Sequence, residues 1–328
     1  MPGPVVGMDV AGVVSQVAAD STSPFKVGDE VFGTCVGSLA DWVSVSSSRL
    51  GHKPKRLSFT QAAAMPFTYM TSLTALRGLF LHIIARRNIV HIKANALPIP
   101  PHTHTRPPPL PHTHTHTLDH GNLTQGGKVL VIGATGGCGI AGMQLARYMG
   151  ASEVVGVSSE ENREVVLKEG GTGYIDYKTT NLADRCAPSA LDNKRYDVVY
   201  DCASGSQTGE NYKTSALTCL READAGAGHK HGQYVAINGH RGAWLRAVMN
   251  MQKENQHIFL TVANTKDLNL LSQLVDNGWS DGTKRLNPVV MKVFPLTSQA
   301  QVVRCLWSHS IITFNNDTII FVVRFVRL

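Results

Sequence analysis

The chain has 328 residues, 43% of them hydrophobic and 17% charged, with a formal net charge of +7; that is length for two domains with their own cores and a balance that excludes a fibrous or membrane-embedded protein. The positive charge is local, since residues 81–117 carry Arg86, Arg87, Lys93 and Arg106 with no acid, and residues 304–328 carry Arg304, Arg324 and Arg327 against Asp317. The remainder is nearly neutral, so neither a basic face nor a nucleic-acid partner is expected.

Residues 1–80 alternate apolar and polar positions between glycine turns, the pattern of a small β domain. Its phrases are Pro4-Val-Val-Gly7-Met8-Asp9-Val-Ala-Gly12, Val27-Gly28-Asp29-Glu30-Val31, Gly37-Ser-Leu-Ala-Asp-Trp42 and Gln61-Ala-Ala-Ala-Met-Pro66. Residues 81–120 break the pattern. Their centre, His102-Thr-His-Thr-Arg-Pro-Pro-Pro-Leu-Pro-His-Thr-His-Thr-His116-Thr, is low-complexity, cannot build a core and is expected to be a disordered loop with polyproline character. A histidine tract can bind metal, so zinc uptake lost on deleting residues 102–116 is one reading. The other comes from the genetic code: a repeated CA dinucleotide encodes alternating His and Thr, so a retained intron over residues 81–117 is expected, and transcript sequencing decides between the two.

From residue 121 a second domain begins. Lys128-Val-Leu-Val-Ile132 reads as a strand covered on both faces, and a run of good helix formers follows Gly139. Between them Gly133 permits a tight turn, Gly136 and Gly137 leave room for a pyrophosphate, and Gly139 lets helix and strand approach closely, which is the recipe for a dinucleotide site at a helix N-terminus. The next strand, Glu153-Val-Val-Gly-Val157, ends on Ser158 and Ser159 where an acid would hold a ribose 2′-hydroxyl. Two hydroxyls with Arg163 nearby suit a 2′-phosphate, so NADPH is expected over NADH, although Arg163 also reads as a solvated helix charge. Tyr196-Asp-Val-Val-Tyr-Asp201 and Gln233-Tyr-Val-Ala-Ile-Asn238 read as further strands whose ends line the cofactor crevice.

The six cysteines, at 35, 138, 186, 202, 219 and 305, show no C-x-x-C pair and no ligand-like spacing, which fits a reducing compartment and no structural zinc. Cys138, at a helix start, reads either as a reactive thiol or as a small residue in a crowded turn. No signal peptide and no run of about 18 apolar residues is present, so no membrane partner is expected. The location is read as cytoplasmic or organellar.

The order of the front phrases followed by Gly136-Gly137-Cys138-Gly139 resembles the medium-chain dehydrogenase/reductase superfamily, and within it the zinc-independent quinone oxidoreductase and enoyl reductase branch, over roughly residues 3–80 and 121–297. The resemblance implies that Gly136, Gly137, Cys138 and Gly139 hold the pyrophosphate, that Thr71 lies near the nicotinamide and that Ser158 and Tyr177 lie near the 2′-phosphate, with Arg163 standing in for a family lysine; Gly133, Thr135, Ile140, Ser159 and Asn238 are expected to bind the cofactor as well. Zinc-dependent relatives place a His-Glu pair where Met8 and Asp9 stand here. A thioether is a poor zinc ligand, so no metal is expected, and Asn162 occupies the place of a lysine that many relatives use for the 2′-phosphate.

The fold expected is α/β, a Rossmann doubly wound parallel sheet plus a GroES-like β domain incomplete at both ends. Residues 1–80 form the catalytic domain with its N-terminal part missing, 81–120 the insert, 121–285 the NADPH-binding domain, and 286–328 a return segment with a tail from Ser308 that matches no family ending. A misread exon boundary is the account of that tail. The function expected is metal-free, NADPH-dependent hydride transfer to a quinone or enone, with a homodimer as the plausible assembly. The alternative is a nucleotide-binding or interaction protein without catalysis. No catalytic acid or proton donor is named by the sequence.

Overall fold

The computed structural model describes residues 7–18, 22–77, 123, 125–187, 195–204, 212–223, 231–237, 245, 249, 255–258, 261–277, 286–290 and 325–327. The insert 81–120 and Asn238 lie outside them. Two sheets carry the fold. The larger is built from β5 (Lys128–Ile132), β6 (Glu153–Ser158), β7 (Gly173–Asp176), β8 (Val198–Asp201), β9 (Gln233–Ala236) and β10 (Gln256–Ile258) in the order β10-β9-β8-β5-β6-β7, every pairing parallel. Strand order reverses between β5 and β8, so the crevice beyond their C-terminal ends is where a dinucleotide binds in such a sheet. The expected doubly wound α/β architecture is therefore present.

Period-two alternation explains the two covered faces. Val129, Val131, Val198 and Tyr200 enter one core with the helices α2 (Pro66–Arg77) and α3 (Gly137–Tyr148), whereas Leu130, Ile132 and Val199 enter the opposite core with Leu182 of α5 (Leu182–Arg185) and Ala216 of α6 (Lys213–Thr218). In the second core Cys186 and Cys219 are joined by a disulfide. This corrects the reading of uniformly reduced cysteines, which rested on local spacing and could not see a pair 33 residues apart brought together by two packed helices.

The smaller sheet has the order β3-β11-β1-β2-β4, with β1 (Asp9–Gln16), β2 (Glu30–Thr34), β3 (Trp42–Ser44), β4 (Leu50–His52) and β11 (Phe325–Arg327). Val10 and Val14 of β1 face its own core with Phe25, Val31 and Leu50, while Ala11 and Phe32 face α2 and the larger core. Strand β11 lies parallel between β1 and β3. The tail read as foreign to the fold thus ends inside the small sheet, because its β-prone composition matches the open edge of β1. Helix α7 (Thr265–Asn277) ties the two sheets: Leu268, Leu271, Leu274 and Val275 are buried, Asn269 Oδ1 accepts from the backbone N–H of His52, and Asp276 accepts from those of Lys55 and Arg56.

Candidate functional site

The glycine turn follows β5 at the point where strand order reverses. Gly133 has φ +76°, a conformation that a side chain resists, and a Cβ there would lie 3.3 Å from that of Ala203, just beyond β8. The Gly133 and Ala134 N–H groups both donate to Val157 O at 3.1 Å, pinning the turn to β6. A Cβ on Gly139 would stand 2.2 Å from Gly133 O; only glycine lets α3 start this close to the strand. Gly136 caps α3, and its first intrahelical bond is donated by Ile140 at 2.8 Å. The N–H groups of Gly137, Cys138 and Gly139 precede that bond and are left for an anion, with Thr135 half-buried beside them.

Helix α2 is locked onto this turn. Ser72 Oγ donates to Cys138 O at 2.8 Å or to Thr68 O at 2.9 Å and lies 3.2 Å from Tyr200 Oη. Its neighbour Thr71 is 5% exposed and its Oγ1 has no hydrogen-bond partner among the described residues. A buried hydroxyl without a partner costs roughly 1–3 kcal/mol, and the polar edge of a bound nicotinamide would satisfy it. Burial pushes the Cys138 thiol up to about 12, with the nearby Asp9 charge adding to the effect and a hydrogen bond with Tyr200 opposing it. Of the two readings of Cys138, a thiol pushed up in this way favours the unreactive residue in a crowded turn.

The second expected cluster gathers at the ends of β6 and β7. Ser158 is buried, the Tyr177 N–H donates to Ser158 O at 3.3 Å, and Tyr177 is 40% exposed. Arg163, at the start of α4 (Arg163–Lys168), pairs with Glu160 at 3.7 Å, both side chains exposed. Sequence reasoning missed Lys178, whose Nζ lies 3.0 Å from Glu161 Oε1 and so reaches the same turn from β7's side. A hydrogen bond from Ser159, then one from Lys178, holds the Glu161 carboxyl down at about 2. Lysine followed by no hydrophobic period carries no local signal; only the pairing of β6 with β7 brings position 178 beside position 161.

Asp201 is fully buried at the end of β8 and satisfied by three donors: the Ala203 and Ser204 N–H groups to Oδ1 at 3.0 and 2.8 Å, and Tyr234 Oη to Oδ2 at 2.7 Å. It fixes the crevice wall opposite the glycine turn. Across the cleft, Asp9 Oδ1 accepts from the Phe67 N–H at 2.9 Å. Among the described residues no group of three or more His, Cys, Asp or Glu is arranged to hold a metal, and no helix is long and apolar enough to cross a membrane. The glycine contacts and the unpartnered Thr71 hydroxyl fit a nicotinamide dinucleotide.

Residues 137–223 match a family described as zinc-binding dehydrogenase. The mouse quinone oxidoreductase is 27% identical over 305 residues, spanning 90% of this chain and 73% of the relative. Among solved structures, the quinone oxidoreductase of Coxiella burnetii superposes with a TM-score of 0.58 at 19% identity over 93% of this chain and 76% of that one. The CurK enoyl reductase does so with a TM-score of 0.58 at 19% identity over 97% and 78%. These two likenesses concern the fold.

Proposed function

We propose that this chain, which belongs to the medium-chain dehydrogenase/reductase superfamily in its quinone oxidoreductase and enoyl reductase-like branch, reduces a quinone or an α,β-unsaturated carbonyl with NADPH and without a metal. The observation that carries the reading is the cradle itself: a glycine turn with three free N–H groups, locked through Ser72 to a helix whose next-door hydroxyl, on Thr71, is buried and unpartnered. When bound, the nicotinamide supplies hydride. The chain's part is to orient it, through Thr71 at one end and the Gly137, Cys138 and Gly139 N–H groups at the pyrophosphate, so that positioning lowers the barrier.

Met8 at the place of a zinc-ligating histidine supports the absence of metal chemistry, and conjugated acceptors suit that absence because their charge spreads over several atoms and needs less local stabilisation. Preference for NADPH is supported by Ser158 at the place of an acid and by Arg163 and Lys178 at the rim, each of which must exchange its carboxylate partner for the phosphate. Pairing of two copies through an edge strand of the large sheet, β7 or β10, is part of the same reading.

The test is oxidation of NADPH and of NADH with 1,2-naphthoquinone and with 2-enals, before and after exhaustive zinc chelation. Turnover that is faster with NADPH and untouched by the chelator is expected. Tight NADPH binding with no turnover on either acceptor class would instead favour a nucleotide-binding protein without catalysis.

A further inference from the structure

We propose that the disulfide between Cys186 and Cys219 is a redox-sensitive latch on the wall of the nucleotide crevice, and that a dithiol reductant opens it and weakens nucleotide binding. The inference rests on the nucleotide-binding part of the reading above and adds a means of regulation to that site.

The bond joins the ends of two short helices. Cys186 closes α5 and Cys219 closes α6, and both are fully buried in the core that Leu130, Val199 and Tyr234 help line. A helix this short does not hold itself together. Helix α1 (Phe59–Ala63) is secured by a capping box, in which the Ser58 hydroxyl accepts from the Gln61 N–H and the Gln61 side chain accepts from the Ser58 N–H, whereas α6 has no side-chain cap. What ties the two ends of α6 therefore sets where it sits.

Those ends lead to different places. At the first, the Tyr212 N–H donates to Ser204 Oγ at 2.8 Å, and the Ser204 N–H donates to Asp201. Lys213 Nζ stands 5.8 Å from the centre of the Tyr234 ring, whose hydroxyl donates to the same carboxylate. The start of α6 is thus part of the wall that Asp201 fixes opposite the glycine turn. At the other end, about 9 Å along the axis, Cys219 O accepts from the Tyr196 N–H at 2.8 Å and the Arg221 N–H donates to Tyr196 O at 2.9 Å, which stitches this end to the residues leading into β8. Latch and wall are the two ends of one helix. The disulfide also closes a loop over a sequence separation of 33 that contains β8 itself, and so limits how far strand and helix can part.

The fold has a place for both redox states. Two thiols need more room than one bond between sulfurs, and a close-packed core gives that room only by moving an element. The reduced state is not stranded, because the Cys219 thiol has Ser215 O at 3.4 Å and Leu182 O at 3.7 Å as acceptors. Reduction is therefore expected to shift α6 and leave the sheet intact.

The electrons balance. A thiolate of the dithiol attacks one sulfur, the bond between the cysteines breaks, and its electron pair leaves on the other sulfur, which takes a proton. The second thiol of the reductant then displaces the first cysteine from the mixed disulfide. The cysteine pair gains two electrons and two protons, and the dithiol is oxidised to its cyclic disulfide. Because both sulfurs are buried, attack waits on local opening of α5 and α6.

The test is fluorescence titration of the full chain with NADPH before and after dithiothreitol, with alkylation and mass measurement showing the state of Cys186 and Cys219. Binding about fivefold weaker in the reduced chain is expected and, by reciprocity, saturating NADPH should shift the reduction equilibrium toward the disulfide by the same factor. The double variant Cys186→Ala, Cys219→Ala should bind as the reduced chain does and ignore the reductant, which separates the latch from the other cysteines. Equal affinity in the two states of the wild-type chain overturns the latch. Hydrogen exchange needs neither the variant nor the nucleotide: reduction should speed exchange over residues 212–219. A chain that binds NADPH in neither state overturns the nucleotide reading, and exchange then still decides the latch, with faster exchange upholding it and unchanged exchange overturning it.

Discussion

On the proposed function, the choice between NADPH and NADH falls to single residues at the edge of the candidate cofactor site. Glu161 occupies both Ser159 and Lys178, the hydroxyl and the ammonium that a 2′-phosphate would use. Its negative charge there also repels the phosphate, weakly because water and salt screen exposed charges. Glu161→Gln is therefore expected to raise the ratio of NADPH to NADH affinity about fivefold, measured by fluorescence titration with each nucleotide at low salt, and the gain should shrink as salt is added. An unchanged ratio would remove Lys178 from the phosphate's reach. The residues around this corner show how far a sequence can be read. Ser158, Ser159 and Arg163 follow one another closely and announce themselves, while Lys178 arrives from beyond the next strand. What local order encodes was legible; what strand pairing and domain packing bring together was not.

At the scale of elements, the strand-turn-helix of the cofactor cradle was fully written in the spacing of Gly133, Gly136, Gly137 and Gly139, because each glycine answers a short-range demand. The wall facing it was legible as the end of a strand, but what holds that end in place was not. The end of β8 is held by Asp201, whose three donors come from the two residues after the strand and from Tyr234 on β9. Removing the carboxylate leaves three buried donors without an acceptor, so Asp201→Ala is expected to cost about 3 kcal/mol or more. Chemical denaturation should show this as a lower midpoint with unchanged slope, and NADPH binding should weaken because Ala203 abuts Gly133. The tail supplies the opposite lesson. It matches no family ending, yet an apolar, β-prone segment seeks an open edge, and β11 between β1 and β3 is that edge satisfied.

For the whole molecule, one side chain joins helices from both parts of the chain. Gln144 of α3 accepts from Tyr69 Oη of α2 at 2.8 Å and from the Asn287 N–H at 3.0 Å, and its Nε2 donates to Asn287 O and to Glu169 Oε2. Gln144→Leu keeps the volume and strands the Tyr69 hydroxyl and the Asn287 backbone, so a loss of roughly 2–3 kcal/mol is expected. The same change should loosen the small domain first, seen as faster hydrogen exchange in β1 and β2 than in β5 and β8.

The position of β11 sets an order of events during synthesis. Among the described residues, the last strand of the large sheet ends at Ile258, whereas the small sheet pairs residues near the front of the chain with Phe325–Arg327. At about 5–20 residues per second, a growing chain spends several seconds with its nucleotide cradle assembled and its β1 edge still open. On the proposed function, a bound nicotinamide cofactor would hold the nucleotide-binding half of the newborn polypeptide folded until β11 is made.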